Sequence, residues 1–135
     1  MAVVAAQCTL ASAGRDASEV ETVIGASSSD NDAFPTVAGQ VATRLGLGPI
    51  RATMLKGACT CQTEAFQICS EVLQAGSPQL VLMVTAKGLL LNIMNVLDWK
   101  TSSLFGGWAS AFLPERGDQD TYLIMALKMA RKQQR

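Results

Sequence analysis

Histidine is missing from all 135 residues, so any chemistry that turns on an imidazole must draw that group from outside this chain. Aromatic residues are scarce, at 5%, and neither sign of charge prevails, with 11 Lys and Arg against 11 Asp and Glu. A nucleic-acid partner needs a broad basic surface. The basic residues cluster only in the tail, at Lys128, Arg131, Lys132 and Arg135, so no such partner is expected. Long apolar runs are lacking too. Leu80–Ala86 and Gly88–Leu97 are separated by Lys87, and neither approaches the roughly 20 residues of a membrane helix. Met1 to Ala13 ends in an Ala-Ser-Ala that imitates a signal-peptidase site, but the stretch has no positive n-region. A cytoplasmic chain without membrane attachment is the expectation, or one in the plastid stroma if the source is eukaryotic.

Hydrophobic residues make up 49% of the chain and charged residues 16%, which is the balance of a chain that packs rather than one that stays disordered. Its length is that of one ordinary domain. The four cysteines, Cys8, Cys59, Cys61 and Cys69, do not sit in a small secreted scaffold and read as reduced thiols. No metal site and no bound cofactor is expected.

Local pattern gives an alternation of elements. Ala-rich Ala2–Ala13 predicts a helix stopped by Gly14. Val20–Ala26 predicts a buried strand closed by the turn formers Ser27 to Asn31. Val37, Val41 and Leu45 recur at helical spacing after Phe34-Pro35, with Thr36 placed to cap and Gly46 and Gly48 to stop. Ile50–Lys56 is a second strand, Thr60–Gln74 a helix ended by Gly76, and Gln79–Ala86 a strand whose unbroken apolar run suits a sheet covered on both faces. This order is that of an α/β layered domain with a mostly parallel sheet. Asp118–Arg135 predicts an amphipathic terminal helix, with Leu123, Ile124, Leu127 and Met129 on its apolar side.

Gly57-Ala58-Cys59-Thr60 places a thiol where a strand turns into a helix. Unpaired amide N–H groups and the positive end of the helix dipole favour a thiolate there. Cys59 can therefore be a nucleophile, or it can be a small apolar residue filling a tight corner.

Five segments in order resemble one family, the type III β-ketoacyl-acyl-carrier-protein synthases of the thiolase-fold superfamily. They are Val23–Thr36 with its Phe-Pro-Thr helix start, Gly57-Ala58-Cys59 through Ala65-Phe66 to Gly76, Leu80–Val84, Leu97-Asp98-Trp99, and Phe105-Gly106. The resemblance covers residues 2–113 and implies a truncated thiolase-like α/β/α half-fold over 1–114, with 115–135 as a segment lacking a counterpart. It implies that Cys59 takes an acyl group from acyl-coenzyme A. It places Phe34 where family members reach into a dimer partner's acyl pocket, although a phenylalanine there can also be a hydrophobic staple. It implies substrate contact at Trp99, and close backbone approach at Gly106 in a glycine-rich turn beneath the catalytic centre. Acyl carrier protein is implied as a second partner, with a homodimer or a thiolase-fold companion.

The sequence departs from the pattern at several points. The histidine and asparagine that complete the family's site come from a second half-fold, and the first, central strand of the sheet has no match here. Cys61 and Gln62 follow the nucleophile in place of a glycine and an aromatic residue. An arginine that helps hold coenzyme A is deleted near Trp99, leaving Lys100, and Gly107-Trp108 stands where Asp-Gly is usual, which is expected to put a bulky indole into a tight turn. Three readings follow: an acyltransferase incomplete for condensation, a non-catalytic half-fold that pairs with a full-length thiolase-fold partner, or a truncated product.

Overall fold

The computed structural model describes residues 1–29, 34–88, 98–102, 106–117 and 123–131. Helix α1, Ala2–Ala13, ends as its sequence predicts. Gly14 turns left-handed at φ 63°, and its N–H donates to the Ala11 carbonyl while that of Arg15 donates to Leu10. Arg15 then ties this end of the molecule together, reaching Glu19 at 2.8 Å and Glu115 at 2.6 Å.

Strand β1, Thr22–Ser27, is buried along its whole length. Helix α2, Val37–Arg44, is capped by Thr36, whose hydroxyl accepts the Gly39 N–H at 3.2 Å. Strand β2, Arg51–Lys56, runs parallel to β1, and helix α3, Cys61–Gln74, returns the chain to β3, Val81–Lys87. A short helix α4, Trp99–Ser102, precedes β4, Trp108–Glu115, and β5, Leu123–Arg131. The sheet order is β2-β1-β3-β4-β5, with β1, β2 and β3 parallel and the last two strands antiparallel.

Side chains alternate between two cores. Val23, Leu82, Val84, Ala111 and Leu113 face α1 and α2, where they meet Ala6, Leu10, Ala38 and Val41. Ile24, Val81, Met83 and Phe112 face α3 and meet Cys61, Ala65, Cys69 and Leu73. Helices thus cover both faces, as a run such as Val81–Val84 requires. Gly25 makes the first core possible, because a Cβ there would lie 2.6 Å from Met54 Sδ and 3.0 Å from Ala38 Cβ. Thr9 fastens α1 to β4 through its hydroxyl, which donates to the Ala111 carbonyl at 3.3 Å.

Three expectations are corrected. The sheet has no gap where a central strand was expected to be missing: β1 pairs directly with β3 in a parallel register from Thr22↔Val81 to Ala26↔Thr85. β3 is therefore paired on both sides and offers no open edge. The helix expected over Asp118–Arg135 is, over Leu123–Arg131, a strand paired with β4, so this segment extends the sheet instead of standing apart from it. Helix propensities differ by only tenths of a kcal/mol per residue, and the outer edge of β4 presents a row of backbone groups to be satisfied. Trp108 does not enter a turn; it opens β4 opposite Lys87. Pro114, which cannot donate to a ladder, falls at a register shift in the β4–β5 pairing. The apolar stretch Leu89–Leu97 lies outside the described residues.

Candidate active site

The three parallel strands end together at one edge of the sheet, and hydrogen bonds link the segments that leave it. Gly57 N–H donates to the Ser27 carbonyl at 3.4 Å, linking the ends of β1 and β2. Ser29 Oγ donates to the Gly88 carbonyl at 3.3 Å, linking β1 to β3, and Ser29 N–H donates to Ser27 Oγ. The chain leaves β1 toward β2 on one side, while β3 lies on the other, so the strand order reverses here. Open α/β sheets bind ligands at such a point, outside the carboxyl ends of the strands. A cleft of about 240 Å³ opens beside it, walled in part by Ser29, Pro35, Gln40, Ala86 and Gly88.

Cys59 lies in the turn between Lys56, which ends β2, and Cys61, which begins α3. Gly57 lets this turn fold tightly, since a Cβ on it would come within 3.1 Å of Cys61 Cβ. The Thr60 hydroxyl is engaged with Glu64 at 3.0 Å and makes no cap to α3, leaving the amides of the first turn without that partner. The four thiols differ sharply in access. Cys59 is exposed, Cys8 half-buried, and Cys61 and Cys69 buried. Burial pushes the Cys69 thiol up to about 12.

The other expected site residues lie in the loop before α2, at the start of α4 and just before β4. Phe34 is 86% exposed in the loop before α2, so it acts as no staple within this chain. Trp99 is 72% exposed at the start of α4, and Lys100 N–H beside it donates to Asp98 Oδ1 at 3.3 Å. Gly106 precedes β4, and among the described residues nothing lies within 4 Å of where its Cβ would stand. Cys59, Phe34, Trp99 and Gly106 line neither this cleft nor the polar one of about 480 Å³ beside Arg15 and Arg116. Sequence reading treated Ser27 to Ser29 as turn formers and missed that they join three strand ends. The signal available was the position of these serines at the end of a buried strand. Among the described residues no cluster of His, Cys, Asp and Glu is placed to hold a metal ion. No helix among them is long and apolar enough to cross a membrane.

This arrangement defines a thiolase-like α/β half-fold with a cysteine between a parallel strand and the helix that follows it. No family model matches the chain. A β-ketoacyl-[acyl-carrier-protein] synthase III from Rubrobacter xylanophilus is 34% identical over 118 residues, which is 87% of this chain and 37% of that protein. A β-ketodecanoyl-[acyl-carrier-protein] synthase from Pseudomonas aeruginosa is 32% identical over 118 residues, 87% of this chain and 33% of that protein. The crystal structure of 3-oxoacyl-[acyl-carrier-protein] synthase III from Aquifex aeolicus superposes with a TM-score of 0.81 at 27% identity, over 88% of this chain and 38% of that one. By sequence and by fold the chain is thus a partial relative of the type III β-ketoacyl-acyl-carrier-protein synthases, spanning little more than a third of their length.

Proposed function

We propose that the chain carries the acyl-accepting half of a β-ketoacyl synthase III-like site, with Cys59 as the nucleophile. The observation that supports this best is the contrast in access among the thiols. Cys59 is exposed at the junction of β2 and α3, while Cys61 and Cys69 are buried in the α3 core. The Cys59 thiol gives up its proton, and its sulfur attacks the carbonyl carbon of an acyl-coenzyme A thioester. The tetrahedral adduct collapses, the bond to the coenzyme sulfur breaks, and that sulfur leaves as a thiolate that takes up a proton. A thioester on Cys59 is the product.

Condensation with a malonyl-carrier-protein asks for donors that stabilise a developing enolate. The 135 residues supply no histidine for this, so the chain alone is expected to acylate without forming ketoacyl product. The reading extends to a second copy or a thiolase-fold companion, with Phe34 and Trp99 as exposed aromatic contacts for acyl donor or partner.

Intact-mass spectrometry after incubation with acetyl-coenzyme A tests the reading. One acetyl adduct that vanishes in Cys59→Ala and persists in Cys8→Ala is the expected result. An adduct that survives Cys59→Ala, or none at all, would end it.

A further inference from the structure

Cys59 and Cys61 stand on either side of one residue, and only the first has a part in the acyl-accepting reading. Cys59 is exposed in the turn that leaves β2, whereas Cys61 opens α3 and is buried. Thr60 between them is right-handed helical, at φ −84° and ψ −14°. That conformation sets the Cα atoms on its two sides about 5.4 Å apart, inside the roughly 4.4–6.8 Å that a disulfide spans. The other thiols are worse placed. Cys69 lies two turns further along α3, about 12 Å from Cys61 by helix rise, and Cys8 is on α1, which packs against the opposite face of the sheet.

Residues two apart at a helix start do not face each other. The two thiols accordingly differ in surroundings, Cys59 open to solvent and Cys61 in the core with Ile24 and Ala65. A bond between them therefore requires the first turn of α3 to rotate. Little holds that turn. The Thr60 hydroxyl is engaged with Glu64 and does not cap the helix. The Cys61 N–H meets the Ala58 carbonyl at 3.4 Å, long for an amide–carbonyl bond. Gly57, which adjoins Cys61 Cβ, gives the backbone freedom to re-aim. A bridge that strains its turn is readily reduced, which is the property of a reversible switch and not of a structural staple.

We propose that Cys59 and Cys61 are a peroxide-responsive thiol pair, with Cys59 as the sulfur that is oxidised and Cys61 as the thiol that resolves it. An accessible cysteine next to a resolving one is the arrangement that redox sensors use. The Cys59 sulfur, as thiolate, attacks one oxygen of hydrogen peroxide and the O–O bond breaks. Cys59 becomes a sulfenic acid, and the released hydroxide takes up the proton the thiol gave and leaves as water. The Cys61 sulfur then attacks the Cys59 sulfur, the S–O bond breaks, and hydroxide leaves with the Cys61 proton as a second water. The two thiols lose two electrons and the peroxide gains them. The bridge needs no acyl chemistry. Its consequence, that acyl acceptance stops while the Cys59 sulfur is engaged, rests on the reading of Cys59 as the nucleophile.

Treatment of the full chain with an equimolar amount of hydrogen peroxide, then denaturation, iodoacetamide alkylation and peptide mapping, tests the pair. Alkylatable thiols should fall from four to two, with the bridge inside the tryptic peptide 57–87 and its alkyl group on Cys69. Dithiothreitol should restore all four. Cys61→Ser should leave Cys59 without its resolving partner, so that it goes on to sulfinic acid and dithiothreitol no longer reverses the change. Cys8→Ser and Cys69→Ser should keep the bridge. A bridge from Cys59 to Cys8 or Cys69, a bridge between chains, irreversible oxidation of Cys59 in the parent, or four free thiols would each overturn the proposal. Acetyl-coenzyme A added after peroxide distinguishes the two roles of Cys59. An acetyl adduct on the reduced chain that drops about tenfold on the oxidised one supports both. A Cys59–Cys61 bridge in a chain that takes no acetyl when reduced would sink the nucleophile and leave the pair standing, and an adduct undiminished by peroxide would do the reverse.

Discussion

The hydroxyls of Thr85 and Ser110 meet at 2.6 Å across β3 and β4, inside the face that α3 covers. Both side chains are almost wholly buried. Ser110→Ala leaves the Thr85 hydroxyl in the core without its partner, and a stranded buried polar group costs about 1–3 kcal/mol. Denaturant unfolding should show that loss. The double variant Thr85→Val with Ser110→Ala removes both groups and should recover much of it. Simple additivity of the two single losses would show that the pair is not coupled.

Gly25→Ala should cost about 1–3 kcal/mol, because overpacking forces either Met54 or the α2 backbone at Ala38 to move. Gly48→Ala, with open space around it, should stay within about 0.5 kcal/mol. Thermal or urea unfolding of the two variants side by side checks this. A Gly25 variant as stable as the Gly48 variant would mean that α2 does not press on β1 as described.

Limited alkylation with iodoacetamide followed by peptide mapping should label Cys59 first and Cys69 last. The buried Cys69 thiol has its pKa raised from 9.0 to about 12, and the thiolate is the reacting species. The same shift gives a stability slope of definite sign. Below pH 9 both folded and unfolded chains hold the Cys69 proton, and the stabilisation is fully present. As the pH rises toward 12 the unfolded chain ionises first, so stability falls. Cys69→Ala should flatten this alkaline decline in unfolding measurements; an unchanged slope would assign it to other groups.

Strand β2 closes one end of the sheet, and its outer N–H and C=O groups, from Arg51 to Lys56, have no strand beside them among the described residues. Its first three residues are exposed. An edge of this kind pairs with another chain unless something blocks it. Self-association should appear in sedimentation velocity and rise with concentration, and Ala52→Pro, which removes a donor and stiffens the edge, should reduce it. A monomer at all concentrations would show that the β2 edge is not used.

Much of the fold was legible in local chemistry. Gly14 could be read as the stop of α1 because a left-handed cap wants a residue without a side chain. Thr36 could be read as a cap because its hydroxyl sits three residues from a free amide. The Cys59 junction was legible for a similar reason, since Gly57 permits the tight approach to Cys61 that the turn needs. Strand β4 was not legible: Ala109, Ser110, Ala111 and Pro114 carry little strand preference of their own.

Caps, glycine stops and apolar runs act over a few residues, so the bounds of α1, α2 and α3 and the two-sided burial of β3 could be read locally, whereas the state of the terminal segment could not. Only the tertiary structure decided which strands are neighbours. It joined β1 to β3 directly and turned Leu123–Arg131 into a strand against β4. The physical reason lies in the backbone, whose donors and acceptors must be satisfied by whatever edge is at hand. That demand exceeds the few tenths of a kcal/mol per residue by which side chains prefer one local form to another.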